Sequence, residues 1–169
     1  MFNQAIVRVG IRYGVLCGLV SIVLVAAIYF MGYNPFGDIG RLTYVPIPIF
    51  IVLAIRYYKR YNEAELSFGK GARVGLSVAF YNALTAAMLV FLFIHLVGPE
   101  ILQNHIAEMK ALLDETREEQ IQIIGEESFD NVYNALGSLT PSMQAADFFL
   151  WRLIVGSLFS VVAAVFYRK

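Results

Sequence analysis

Four stretches of this chain run almost free of charge for the length that a lipid bilayer demands. Residues 13–31 and 74–98 contain no Asp, Glu, Lys or Arg, and residues 148–167 contain only Arg152. A helix crosses the hydrocarbon core with about 20 apolar residues, within a range of about 17–25. These three runs meet that requirement. Residues 42–58 are marginal: Arg56 interrupts the run, and Pro46 and Pro48 lie near its start. Taken alone, this run reads equally well as a re-entrant hairpin.

The distribution of charge decides in favour of a crossing. Lys and Arg accumulate on the cytoplasmic flanks of membrane helices. Arg8 and Arg12 precede the first run; Arg56, Lys59, Arg60, Lys70 and Arg73 lie between the second and third; Arg168 and Lys169 follow the fourth. These nine basic residues share their flanks with only two acids, Glu63 and Glu65. The other side holds eleven acids against four bases. Only four crossings put every basic flank on one side. Composition agrees: 59% of the 169 residues are hydrophobic and 15% charged, against about 25% charged in a soluble domain. The balanced net charge argues against a general nucleic-acid binder. The single cysteine, Cys17, excludes an internal disulfide. Tyr57, Tyr58, Tyr61 and Tyr167 mark the inner interface, and Tyr29, Tyr33, Tyr44 and Trp151 the outer one. The first run exceeds the 7–15 apolar residues of a signal-peptide core, so it reads as a retained anchor.

Residues 99–147 are the one long polar segment. Leu102, Ile106, Met109, Leu113 and Ile123 repeat at helical spacing, which predicts an amphipathic helix ending at Gly125. Ser128 is the expected N-cap of a short second helix. Thr140-Pro141 is the expected start of the last one, with Thr as cap and Pro at the first helical position.

Small residues recur every four positions: Gly10, Gly14 and Gly18; Gly71, Gly75, Ala79, Ala83 and Ala87; Gly156, Ser160 and Ala164. Such faces let helix backbones approach closely in lipid, either within the bundle or in an oligomer. Gly10, Gly14 and Gly18 match Gly71, Gly75 and Ala79 at a constant offset, which suggests an internal duplication. Asn82 and Thr85 are the polar groups at mid-membrane depth, suited to a hydrogen bond between helices or a contact to a ligand. Arg152 is placed to pair with an outer carboxylate or to reach the headgroups. Arg56, Lys59, Arg60, Lys70 and Arg73 form a basic collar that attracts anionic headgroups. His105 and Glu108 are one helical turn apart, too few ligands for a metal site. No nucleophile elbow, phosphate loop, HExxH or dinucleotide fingerprint occurs. No catalytic residue, metal or cofactor is expected, and the chain does not read as an enzyme.

Ser67-Phe68-Gly69-Lys70, followed by a glycine-spaced apolar helix, resembles an uncharacterised bacterial family, domain of unknown function 4199, found mainly in Bacteroidota. The resemblance extends to length, four spans, an acidic helical insert before the last span and a basic tail. It implies topology and carries no site residue.

The expected fold is therefore all-α: one membrane domain, a four-helix bundle with an extracytoplasmic helical insert between its third and fourth spans. Both termini would be cytoplasmic, in a bacterial inner membrane. The expected function is noncatalytic, an accessory or assembly subunit that meets a membrane-protein partner, or a second copy, through its small-residue faces and outer helix. The alternative is a carrier or binder of an amphiphilic anion such as a lipid-linked phosphate, using the collar, Arg152 and a cavity near Asn82. Membrane lipids are partners on either reading.

Overall fold

The structure, a computed structural model, describes residues 4–62 and 65–168; Glu63 and Lys169, both counted in the charge partition, lie outside it. Helix α1 spans Gln4–Phe30. A seven-residue 3-10 segment, Asp38–Tyr44, leads into α2 at Pro46–Tyr61. Helix α3 spans Phe68–Val97, α4 Glu100–Glu115, α5 Arg117–Ile124, α6 Glu126–Gly137 and α7 Pro141–Tyr167. The described residues form an all-α bundle with four segments long and apolar enough to cross a membrane. Their outward faces carry exposed Leu19, Val23, Ile49, Leu53, Phe80, Leu84, Leu158 and Val162. A surface this apolar on every crossing fits lipid and not water.

Each helix runs beyond its charge-free stretch. Arg8 and Arg12 fall within the early turns of α1, because Lys and Arg hold their heads at the headgroup level while their stems stay apolar. The second crossing departs most from a simple span. Pro46 occupies the first turn of α2, where its missing N–H is harmless. Before it the chain is wound as 3-10, so the crossing is a broken helix.

Helix α3 is the axis of the bundle. It runs parallel to α1, meeting it through the glycines of α1: a Cβ built on Gly10 would collide with Ser77, on Gly14 with Tyr81, and on Gly18 with Thr85, at 2.8 Å from its Cβ. It runs antiparallel to α7, with Gly71 against Ala164, Gly75 against Ser160 and Ala79 against Gly156. The matched glycines thus face non-equivalent neighbours, α3 in one case and α7 in the other. An internal duplication would set the α1 glycines against α2; helix packing alone accounts for their spacing. Dispersion and close backbone contact drive association in lipid, where no hydrophobic effect operates between helices.

Two apolar clusters fill the bundle. One holds Cys17, Ile47, Ile51, Ile55, Val74 and Val78; the other holds Val25, Ala86, Val90, Ile94 and Phe148. Between them, on every crossing, sits a buried polar residue: Ser21, Thr43, Asn82 and Arg152.

Helix α3 ends at Gly98, whose φ of +105° turns the chain into α4. Ile101 and Leu102 extend the second apolar cluster beyond the bundle. The predicted single outer helix is broken: α4 ends at Thr116, whose hydroxyl bonds back to the Leu112 carbonyl at 3.0 Å, a competition that loosens helices. Gly125, φ +83°, then ends α5. Ser128 is not a cap, since α6 begins two residues earlier. Helix α6 folds back on α4 and α5: Phe129 is buried beneath the Arg117 guanidinium, and Lys110 Nζ lies 4.5 Å from the Tyr133 ring centre. Ile123, predicted to continue the stripe, is 82% exposed. Thr140 caps α7 as its sequence implies, its hydroxyl accepting from the Met143 N–H at 3.3 Å.

If close approach at α3–α7 holds the bundle, Gly156→Leu must open it, because a Cβ there already falls 2.6 Å from the Ala79 Cβ and 3.2 Å from its Cα. A loss on the order of 1–3 kcal/mol is expected. Gly69→Ala, which meets nothing within 4 Å, should leave thermal unfolding in detergent unchanged or raised. Equal melting temperatures for the two variants would refute this account.

Candidate functional site

Arg152 lies at the centre of the polar layer, fully buried and the largest such side chain among the described residues. The expectation that it reaches the headgroups or pairs with a carboxylate is not met. Its Nη1 donates to Ser21 Oγ at 2.9 Å, and its Nη2 donates to Thr43 Oγ1 at 2.9 Å and to the Thr43 carbonyl at 3.2 Å. Its guanidinium carbon sits 4.3 Å from the Phe148 ring centre and 5.0 Å from that of Tyr44. Such cation–π contacts are worth about 2 kcal/mol or more when desolvated. Nε has no partner.

The reason lies in the broken second crossing. A carbonyl freed from a helix inside a membrane must be satisfied by protein. Thr43 sits where the 3-10 segment gives way to α2, and its carbonyl accepts from Arg152 and lies 3.4 Å from Ser21 Oγ, whose one proton goes to the nearer Cys17 carbonyl. A helical side chain also leans toward the N-terminus of its own helix, which aims Arg152 at this break.

Asn82 is buried on the neighbouring face of α3, with neither Nδ2 nor Oδ1 partnered; the interhelical hydrogen bond expected of it is not formed. Thr85 packs on Gly18. The basic collar is a separate place. Lys59 Nζ donates to the Tyr167 carbonyl and Arg12 lies over Tyr57, both at the end of the bundle where Gly71 meets Ala164. Arg56, Arg60, Lys70 and Arg73 belong to the same helix ends. Ala164 is about 18 Å along α7 from Arg152 at about 1.5 Å per residue. The collar and Arg152 therefore do not share one headgroup site.

At the opposite end, beneath α4–α6, a cavity of about 700 Å³ opens. Residues 35–38, Gly40, Arg41 and Tyr44 form one wall, Glu108, Met109 and Leu112 of α4 a second, and Gln144, Asp147, Phe148, Trp151 and Val155 of α7 the third. Tyr44 and Phe148 are its floor, and Arg152 lies behind them. Asp38 and Arg41 pair with each other at 2.8 Å on the exposed rim. A second depression of about 480 Å³, between α2 and α7 at the basic end, is lined by Pro48, Val52, Phe159 and neighbouring apolar side chains and offers a lipid chain nothing but apolar contact.

Above the cavity, Asn34 ties α1 to α4. The Phe36 N–H donates to Asn34 Oδ1 at 2.9 Å, which fixes the amide orientation. The amide nitrogen then donates to His105 Nδ1 at 3.0 Å and to Glu108 Oε2. His105, 8% exposed, also meets the Phe36 ring edge-on. Because Nδ1 accepts, His105 is neutral. Burial holds its pKa below the ordinary 6.5, outweighing the opposing pull of Glu108 and Asp147. Among the described residues no three His, Cys, Asp or Glu groups converge as metal ligands would. Sequence reasoning placed His105 and Glu108 together but missed Asn34 and Gln144, which carry no local signal, and it gave Asp147 only as a partner for Arg152.

A family model described as "Protein of unknown function (DUF4199)" matches residues 12–169. The chain belongs to that family. No curated protein and no solved structure matches it. The family match covers every element of the polar layer and the cavity.

Two outcomes follow from this geometry. Ser21 Oγ also donates to the Cys17 carbonyl, and Thr43 Oγ1 to the Gly40 carbonyl, so neither hydroxyl is orphaned when Arg152 is removed. Arg152→Met, which keeps the volume but leaves the Thr43 carbonyl without its guanidinium donor, should lose about 1–3 kcal/mol, and Arg152→Ala should lose about 2–4 kcal/mol more to a cavity. Equal losses would show that the charge, not the volume, holds the layer. His105 resists a proton that the unfolded chain accepts near 6.5, so acid favours unfolding. The stability it contributes is full above that value and is lost as pH falls toward and through the lowered folded value. Melting curves from about pH 7.5 to about pH 5 should fall more steeply for the native chain than for His105→Gln; parallel curves would contradict this.

Proposed function

We propose that this protein is a noncatalytic membrane protein that binds an amphiphile, seating its polar head in the cavity beneath α4–α6. The observation that carries this reading is the cavity itself: about 700 Å³, walled by an irregular segment at the broken crossing and by polar side chains of α4 and α7. Non-helical backbone at membrane depth is tolerated where it is buried or lines a cavity, and mostly apolar pockets with a few convergent polar groups are the usual form of ligand sites. Trp151 and Val155 give the cavity a flank on the lipid-facing side of α7, open to entry from the bilayer.

The basic flanks support an orientation with the collar in the cytoplasm and α4–α6 outside, in a bacterial cytoplasmic membrane. An accessory or assembly role rested on two surfaces. The small-residue faces are filled by α1, α3 and α7 against one another. The outer apolar stripe is covered partly by the bundle, through Ile101 and Leu102, and partly by α6. Most of both surfaces is thus used within the chain itself, with Ile123 of the stripe left exposed.

The test is native mass spectrometry of the protein released from native lipid discs. One amphiphile retained per chain is expected, and Trp151→Ala, which strips the half-exposed aromatic flank of the cavity, should weaken its retention while the ligand-free chain stays folded. A bare chain, or a stoichiometric second protein with no bound amphiphile, would overturn the proposal.

A further inference from the structure

The cavity carries a charge pattern and an unpartnered side chain that together specify a head group. Gln144 is 6% exposed, lines the cavity, and makes no side-chain hydrogen bond among the described residues. Its amide lines the cavity and has its hydrogen-bonding groups free for what enters there. Of the four charged residues in the lining, Asp38 and Arg41 neutralise each other at the rim. Glu108 of α4, whose Oε2 accepts from Asn34, and Asp147 of α7 remain as the excess in the lining. Behind the floor lies Arg152, with no carboxylate beside it among the described residues and Nε free.

We infer that the cavity takes a zwitterionic aminophospholipid head, its ammonium between Asp147 and Glu108 and its phosphate diester toward the floor backed by Arg152. This rests on the ligand-binding reading above. The order of charges along the membrane normal supports it. Asp147 lies about 7.5 Å nearer the α4–α6 end of α7 than Arg152, at about 1.5 Å per residue. A lipid presents its phosphate at the hydrocarbon boundary and its amine farther out, the same order. A primary ammonium offers three N–H donors, enough for both carboxylates and the Gln144 carbonyl oxygen. A phosphoglycerol head brings an anion to two carboxylates, and a choline head has no N–H to donate. The bilayer is the source, since Trp151 is an interfacial residue type and Val155 continues the cavity down the lipid-facing side of α7.

The experiment places the full chain in discs holding equal parts of chain-matched phosphatidylethanolamine, phosphatidylglycerol and phosphatidylcholine, then reads retained lipid by native mass spectrometry. Phosphatidylethanolamine should be retained over each competitor by about tenfold or more. The pair Asp147→Asn with Glu108→Gln should abolish that preference in the folded chain, at some cost in melting temperature because Glu108 also accepts from Asn34. If that pair unfolds, Asp147→Asn alone should reduce the preference. Equal or better retention of phosphatidylglycerol or phosphatidylcholine would overturn the head-group assignment and leave ligand binding standing. Persistence of the preference in the folded variants would also overturn it. Retention of no lipid of any class would bring down the ligand-binding reading as well. Free O-phosphoethanolamine held in place of lipid would overturn the bilayer as source.

Discussion

The guanidinium of Arg152 joins three of the four crossings, and the break in the second crossing depends on it. Pro46 and Pro48 cannot extend a helix toward residue 38, so the chain reaches α2 through a 3-10 segment. That leaves backbone to be satisfied at bilayer depth, where water is absent. Arg152 supplies two donors to Thr43 and one to Ser21. Lysine could not do this from the same position, since its ammonium is a point charge and lacks the planar fork. Removing a cation from water is expensive, and neutral oxygens and two aromatic faces offset only part of that. The residue is tolerated because its removal from water coincides with the place where the backbone most needs donors.

Above and below this layer the protein relies on contact alone. Helix α3 presents one face to the α1 glycines and another to Gly156 and Ser160 of α7. Its length, 30 residues, lets it continue past the polar layer to carry Ile94 into the second apolar cluster. There Ile101 and Leu102 of α4 join it. The α4–α6 segment is thereby anchored at its first turn, and the Asn34 bonds to His105 and Glu108 hold its second. The cavity lies where residues 35–44, α4 and α7 come together without closing on one another.

The parts of this arrangement that depend on local chemistry were legible in the sequence. Charge-free length gave the crossings, Thr140-Pro141 the start of α7, and four-residue spacing the glycines that meet neighbouring helices. The parts that failed depend on distant partners. Arg152 and Ser21 are 131 residues apart, and Asn34 and His105 are 71 apart; no spacing rule connects them. Arg152 lay one turn below Asp147 in the sequence, which suggested a nearby carboxylate. The broken crossing that claims it instead is visible only when α1, α2 and α7 are assembled. The unbroken outer helix and the Ser128 cap failed for a smaller reason: Thr116 bonds back to the Leu112 carbonyl where the helix breaks, and hydroxyl side chains have several local bonding choices.

Arg152 can hold the fold and still shape a ligand site, because the two roles use different parts of the same geometry. Its bonds to Ser21 and Thr43 fix the position of Tyr44 and Phe148, whose rings close the cavity floor. A floor set by the fold needs no ordering when a ligand arrives, and that saving is what preorganisation means for affinity. The charge itself remains unneutralised, and rings of a few ångströms' thickness do not screen it as water would. A phosphate that settles on those rings would meet a positive field already in place. An ammonium farther out would meet Asp147 and Glu108. The same broken crossing that demands a buried cation thus creates both the space beside it and the polarity of that space.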